Sequence, residues 1–186
     1  MFGPAREIMP EPLTRLVHAQ RPNLLGLTFE EVSVPGHTSG HIAYDCADMA
    51  PRPLQFFYGD TLFSSGCGSL IECTPDQMLA SLDTLAALPP ATLGCCMHEH
   101  TLSNLKFALA VDPHNQALIN YTVSADALRA SHNPTAPSNI GLERQTNSFL
   151  HTREPALIDA VQLFNASAKG EGGIFAALRQ WKNKFQ

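Results

Sequence analysis

Thr74-Pro75-Asp76-Gln77-Met78-Leu79-Ala80-Ser81-Leu82-Asp83-Thr84-Leu85-Ala86-Ala87-Leu88 carries the marks of both helix ends within one stretch. Threonine at the N-cap, proline at the first helical position, an acid in the first turn and glutamine at N3 make a capping box. Met78, Leu79, Leu82, Leu85 and Ala86 fall on one stripe and Pro89-Pro90 ends the pattern, so a helix is predicted over residues 75–88. Immediately upstream, Leu54-Gln55-Phe56-Phe57-Tyr58 is an apolar run closed by Gly59-Asp60. Downstream, residues 92–97 form a second one, broken at His98. Strand, capped helix and strand in that order predict a β-α-β unit with parallel strands.

Working outward, Leu27-Thr28-Phe29-Glu30-Glu31-Val32-Ser33-Val34 has strand character and is stopped by Pro35-Gly36, and Ile42–Cys46 is a further short strand before a proline-bearing loop at residues 50–53. Residues 1–26 hold four prolines and little periodicity, which predicts loop with at most a short helix at 13–19. From about Ser103 the pattern turns helical, over residues 105–111, 116–129, 155–164 and 174–184, with no strand of comparable quality. A polar, proline-bearing stretch at 133–141 separates these helices and residues 169–173 read as a glycine-rich turn. The expected organisation is therefore a sheet-bearing α/β part over residues 1–100 and a helical part over 101–186.

At 186 residues the chain is long enough to bury a full core. Charged residues make up 16% and the net charge is −5, against roughly 25% charged in an average soluble domain, which argues against nucleic acid as a partner. No apolar run approaches the ~20 residues of a membrane helix, and Met1-Phe2-Gly3-Pro4-Ala5-Arg6 has no apolar segment of a secretory signal behind it. Cys46, Cys67, Cys73, Cys95 and Cys96 form an odd set with no C-x-x-C pair, Cys95 and Cys96 reading as small core residues. A reducing, cytoplasmic setting is expected.

Three ligand-type side chains stand just past three strand candidates: His37 after Val34, Asp60 after Tyr58 and His98 after Met97. Loops at the carboxyl ends of strands in open α/β sheets converge on ligands, and two imidazoles with a carboxylate suit zinc and similar borderline cations. Taken by spacing alone, the same residues read more readily as capping or core-satisfied polar groups.

Longer blocks carry more information. Val34-Pro35-Gly36-His37-Thr38-Ser39-Gly40-His41, Phe57-Tyr58-Gly59-Asp60-Thr61-Leu62-Phe63-Ser64-Ser65-Gly66-Cys67-Gly68, Met97-His98-Glu99-His100-Thr101-Leu102-Ser103-Asn104, Glu143-Arg144-Gln145-Thr146-Asn147-Ser148-Phe149-Leu150 and Leu178-Arg179-Gln180-Trp181-Lys182-Asn183-Lys184-Phe185 resemble, in order, blocks of the hydroxyacylglutathione hydrolases, or glyoxalase II. These form a branch of the metallo-β-lactamase superfamily. The resemblance implies the second half of an αββα sandwich followed by an α-helical C-terminal domain. It implies hydrolysis of S-D-lactoylglutathione to D-lactate and glutathione, in methylglyoxal detoxification, by a hydroxide bridging two metals, zinc with iron or manganese as alternatives. By the same resemblance His37 is a ligand of the first metal, Asp60 the carboxylate bridging both and His98 a ligand of the second. His100, Arg179 and Lys182 would contact the glutathione moiety and His41 would support the loop. Arg179 and Lys182 lie three apart, so one helical face can present both to an anionic tripeptide. Cys67 is given no covalent role.

Departures from the family pattern are specific. Its members carry T-H-x-H-x-D-H, supplying two histidines to the first site and an aspartate and a histidine to the second, and that pattern does not occur in these 186 residues; their one H-x-H is His98-Glu99-His100, and His18 reads as a solvated lone histidine. Ser69 stands where Arg or Lys is common, Ile71 where an aromatic is usual, His100 where tyrosine is usual and His151 where Arg is common. Weak metal binding by these residues alone and self-association through an incomplete sandwich are the corresponding expectations. The alternative to an enzyme is a non-catalytic binding or structural module of the same family.

Overall fold

The computed structural model describes residues 1–17, 19–46 and 53–185; His18 and most of the loop at residues 50–53 lie outside them. The architecture is a mixed sheet backed by helices. Eleven strands are present among the described residues: β1 (Phe2–Pro4), β2 (Thr14–Leu16), β3 (Asn23–Leu24), β4 (Leu27–Thr28), β5 (Glu30–Ser33), β6 (Ile42–Cys46), β7 (Gln55–Gly59), β8 (Leu62–Phe63), β9 (Gly66–Cys67), β10 (Leu93–Cys96) and β11 (Ser138–Asn139). The helices are α1 (Pro75–Ala86), α2 (Thr101–Val111), α3 (Gln116–Ala130), α4 (Ile140–Thr146), α5 (Pro155–Phe164) and α6 (Gly170–Lys184), with a 3-10 turn at Ser148–Leu150.

The five-stranded sheet runs in the order β11-β10-β7-β6-β5. β7 and β10 are parallel neighbours on either side of α1 in sequence, which is the predicted β-α-β unit. The capping box is complete: Thr74 Oγ1 accepts from the Gln77 amide at 3.3 Å and the Gln77 side chain accepts from the Thr74 amide at 2.9 Å. β5 and β7 are each antiparallel to β6, so β5, β7 and β10 all point the same way. Alternation along β7 then sorts its side chains: Phe56 and Tyr58 are buried in the core, while Phe57 faces the other side and is partly exposed.

One continuous core joins Val34, Phe56, Tyr58 and Leu62 to Met78, Leu82 and Leu85 of α1 and to Phe149, Ile174, Phe175 and Leu178 of the helical part. On the opposite face of the sheet, among the described residues, Phe29 meets the rings of Tyr44 and Phe57 at 6.4 and 6.2 Å and a mostly apolar hollow of about 520 Å³ opens beside them.

Four local expectations are corrected. The short helix expected at 13–19 is absent from its described residues: Thr14–Leu16 is extended because β1 offers it a parallel partner, with Phe2 opposite Thr14. The glycine-rich stretch 169–173 is the cap and first turn of α6 rather than a free turn, and Gly172 packs so closely on the Asp76 side chain of α1 that a Cβ there would displace it. The stretch 133–141 is not a simple spacer, since β11 within it pairs antiparallel with β10 and seals the sheet edge before α4 begins. Cys95 and Cys96 are only partly buried, Cys95 because it sits beside Phe57 in register on the aromatic face.

Candidate functional site

Because β5, β7 and β10 run in one direction, the loops that follow them leave the sheet at the same end, and those loops carry His37, Asp60 and His98. His37 Nε2 lies 3.7 Å from Asp60 Oδ2 and His98 Nε2 lies 3.6 Å from Asp60 Oδ1. Both separations are too long for hydrogen bonds. They are close to the roughly 3.4 Å between two donors on one tetrahedral zinc. Asp60 Oδ1 is buried without a hydrogen-bond partner, a costly condition for a carboxylate oxygen that a cation would relieve. His37 Nδ1 sits 2.8 Å from the Ser69 carbonyl; a carbonyl only accepts, so Nδ1 bears the proton and Nε2 presents its lone pair toward Asp60. The residues present thus fit two half-sites that share Asp60, with one histidine each. Among the described residues no group of three His, Cys, Asp or Glu gathers around a single point.

The loop carrying Asp60 is held from behind. Gly68 closes against it, where a side chain would run into the Asp60 carbonyl. His41 Nε2 lies 3.2 Å from the Tyr58 carbonyl beneath the site, and burial lowers its pKa, which keeps it a neutral supporting group. The turn between β8 and β9 is clamped by the helical part. Glu143 accepts from the Ser65 amide at 2.8 Å and from Asn147 Nδ2 at 3.0 Å, Asn147 also donates to the Gly66 carbonyl at 3.0 Å, and Asn104 donates to the Ser64 carbonyl at 3.0 Å. Ser65 is in the left-handed region at φ 54°, a conformation this clamp sustains. Spacing gave no sign of these residues; Glu143 and Asn147 were visible only within a block resembling a family.

His37, Asp60, His98, His100, Arg179 and Lys182 line one open cleft of about 330 Å³. Its floor includes Phe63, whose ring meets that of His100 at 5.2 Å, and His98 and His100 are 5.6 Å apart. The two basic residues of α6 differ in kind. Arg179 is 7% exposed, its Nη1 donating to the Cys67 carbonyl at 2.8 Å and its Nε to Asn183 at 3.1 Å, so it braces the cleft wall. Lys182 is half-buried and donates to the Ser103 carbonyl at 2.8 Å; desolvation, then the neighbouring Arg179 charge, lowers its pKa to about 8. Cys67 is buried beneath them and burial pushes its thiol up to about 11, which leaves it without thiolate character near neutral pH.

Residues 99–185 match the family profile described as hydroxyacylglutathione hydrolase C-terminus. The whole chain is similar to a hydroxyacylglutathione hydrolase of Albidiferax ferrireducens, 64% identical over 185 residues and spanning 72% of that protein. A second hydroxyacylglutathione hydrolase, from Pseudomonas entomophila, is 46% identical over 186 residues and is covered over 71% of its length. In solved structures, a metallo-β-lactamase from Staphylococcus aureus superposes with a TM-score of 0.53 at 18% identity, covering 94% of this chain and 44% of that one. On full-length similarity at this level, with the fold in agreement, the chain belongs to the hydroxyacylglutathione hydrolase family of thioester hydrolases.

Proposed function

We propose that this protein hydrolyses S-D-lactoylglutathione to D-lactate and glutathione in the cleft shared by His37, Asp60, His98 and Lys182. The observation that carries the reading is the pair of histidine nitrogens directed at the two oxygens of Asp60, 3.7 and 3.6 Å away, at one end of a cleft whose other wall is cationic. Asp60 would hold two ions, His37 one and His98 the other, with zinc suited to the donor set and iron or manganese accepted by it. When bound, such a metal pair lowers the pKa of water toward neutrality and polarises the thioester carbonyl. Lys182 offers its ammonium to a carboxylate of the tripeptide, Arg179 keeps the wall in place, and His100 stands where one imidazole N–H can reach the substrate. No protein nucleophile is required.

These 186 residues bring two side-chain donors to each ion, and T-H-x-H-x-D-H is not among them. On their own they are therefore expected to hold metal substoichiometrically and to release glutathione slowly, while joining them to a family segment that bears the motif raises both. Elemental analysis beside a glutathione-release assay reads the two together. The aromatic face over Phe29, Tyr44 and Phe57 supports self-association of the 186-residue chain as well. Sedimentation velocity should find oligomers that Phe57→Ser reduces; a monomer at tens of micromolar contradicts this.

Lys182 sets a pH dependence. Its ammonium is present below about 8 and is lost above it, so KM for the anionic substrate should rise as pH passes from 7 to 9.5, by about tenfold, with kcat changing less. Lys182→Ala should raise KM at pH 7 by a similar factor and remove this limb of the profile. A KM that is flat with pH in the parent protein excludes this role.

A further inference from the structure

The metal-side cleft does not end at His100. His100 and Ser103 also line a second hollow of about 330 Å³ whose far wall is Glu99 and Arg129. Arg129, in the last turn of α3, is fixed from two sides: its Nε lies 3.4 Å from Glu99 Oε1 and its Nη1 donates to the Asn133 carbonyl at 3.0 Å. Glu99 is fixed as well, because Oε1 accepts from the Thr135 amide at 3.1 Å and from Thr135 Oγ1 at 2.9 Å. These bonds from Thr135 and the approach of Arg129 fix both side chains, so the wall presents a held carboxylate beside a held guanidinium. Arg129 remains about half exposed toward the hollow, with a side chain 42% accessible.

We infer that Glu99 and Arg129 form a subsite for a zwitterionic α-amino acid group, the γ-glutamyl end of a glutathione-type tripeptide whose glycine carboxylate is held by Lys182. The inference rests on the glutathione thioester reading above. A paired carboxylate and guanidinium is the complement of an ammonium and a carboxylate on one carbon, and would favour neither a plain anion nor a plain cation. The two hollows are continuous. Lys182 Nζ donates to the carbonyl of Ser103 at 2.8 Å, Ser103 and His100 line both hollows, and Glu99 and Arg129 close the second. With the tripeptide anchored at both ends, its central cysteine would fall opposite His100, on the side of the cleft that holds His98 and Asp60.

Titration of the 186-residue chain with three probes, followed by NMR or calorimetry, tests this. The probes are glutathione, cysteinylglycine, which lacks the γ-glutamyl residue, and butyryl-cysteinylglycine, which lacks only its α-amino and α-carboxylate groups. The parent chain should bind glutathione about tenfold more tightly than either of the others. Arg129→Ala and Glu99→Gln should each bring that ratio close to one by weakening glutathione alone, and Arg129→Lys should keep part of it. Lys182→Ala should weaken all three probes alike and leave the ratio intact. An unchanged ratio in Arg129→Ala and Glu99→Gln, or equal weakening of all three probes, overturns the subsite while leaving the thioester reading in place. Failure of the parent chain to bind any probe overturns both.

Discussion

Replacing Asp60 with Ala should reduce thioester hydrolysis to background, a loss of at least about a thousandfold, in any preparation of this protein that shows it. The magnitude follows from position. Asp60 stands between both histidines, 3.7 Å from His37 Nε2 through one oxygen and 3.6 Å from His98 Nε2 through the other. Removing it takes a donor from both half-sites at once, whereas His37→Ala or His98→Ala takes one donor from one. The order of effect on bound metal should therefore be Asp60→Ala first and the two histidine variants together behind it. The fold should survive, because the loop around Asp60 is fixed mainly through backbone groups that the substitution retains, among them the Thr61 amide on the Tyr58 carbonyl and the Gly68 amide on the Thr61 carbonyl. A melting temperature within a few degrees of the parent, beside lost activity and lost metal, is the expected combination. Loss of activity with metal content unchanged would place Asp60 elsewhere in the chemistry.

The largest effect on stability is expected at Glu143. Its side chain is fully buried and takes hydrogen bonds from the Ser65 amide and the Asn147 side chain. Glu143→Ala strands the Ser65 amide, takes one of its acceptors from Asn147 Nδ2 and leaves a void, at a cost of about 3–5 kcal/mol, or a fall of roughly 6–20 °C in Tm for a chain of this size. Glu143→Gln keeps an acceptor for the Ser65 amide and should cost far less. The two variants also separate charge from shape. Burial raises the Glu143 pKa from its ordinary 4.5, so the folded chain binds this proton more tightly than the unfolded chain does. The resulting stabilisation is fully present below about pH 4.5 and is lost as pH rises through the raised value. The parent should therefore gain on Glu143→Gln in Tm when pH is lowered from 7 toward 4.5. A difference independent of pH would mean that Glu143 titrates alike in both states.

How much of this was legible in the sequence depended on how local each determinant was. The helix at Pro75–Ala86 was readable because its cap, stripe and stop lie within one stretch, and the parallel strands around it followed from the β-α-β order. The Thr14–Leu16 strand was not, since its extended form depends on a partner strand at the start of the chain rather than on its own residues. β11 is two residues of a polar stretch, and only its antiparallel register with β10, Leu93 opposite Asn139, makes it a strand. At the site, each of His37, Asp60 and His98 follows a strand that points the same way, which a linear reading can capture. Arg179 and Lys182 could be placed on one helix face by spacing, but the carbonyl that draws Arg179 into the wall belongs to Cys67, 112 residues earlier. Glu143 escaped spacing for the same reason, its acceptor role depending on the Ser65 amide 78 residues away.

The central claim, that a metal pair shared through Asp60 hydrolyses a glutathione thioester in this cleft, is tested most directly by assaying glutathione release from S-D-lactoylglutathione together with zinc content. The comparison is between the 186-residue chain and the same chain joined to a family segment bearing T-H-x-H-x-D-H, each with and without Asp60→Ala. Zinc and rate should rise together on extension, toward two ions per chain, and fall together with Asp60→Ala. Two bound zinc ions with no hydrolysis, or undiminished turnover after Asp60→Ala, would contradict the claim.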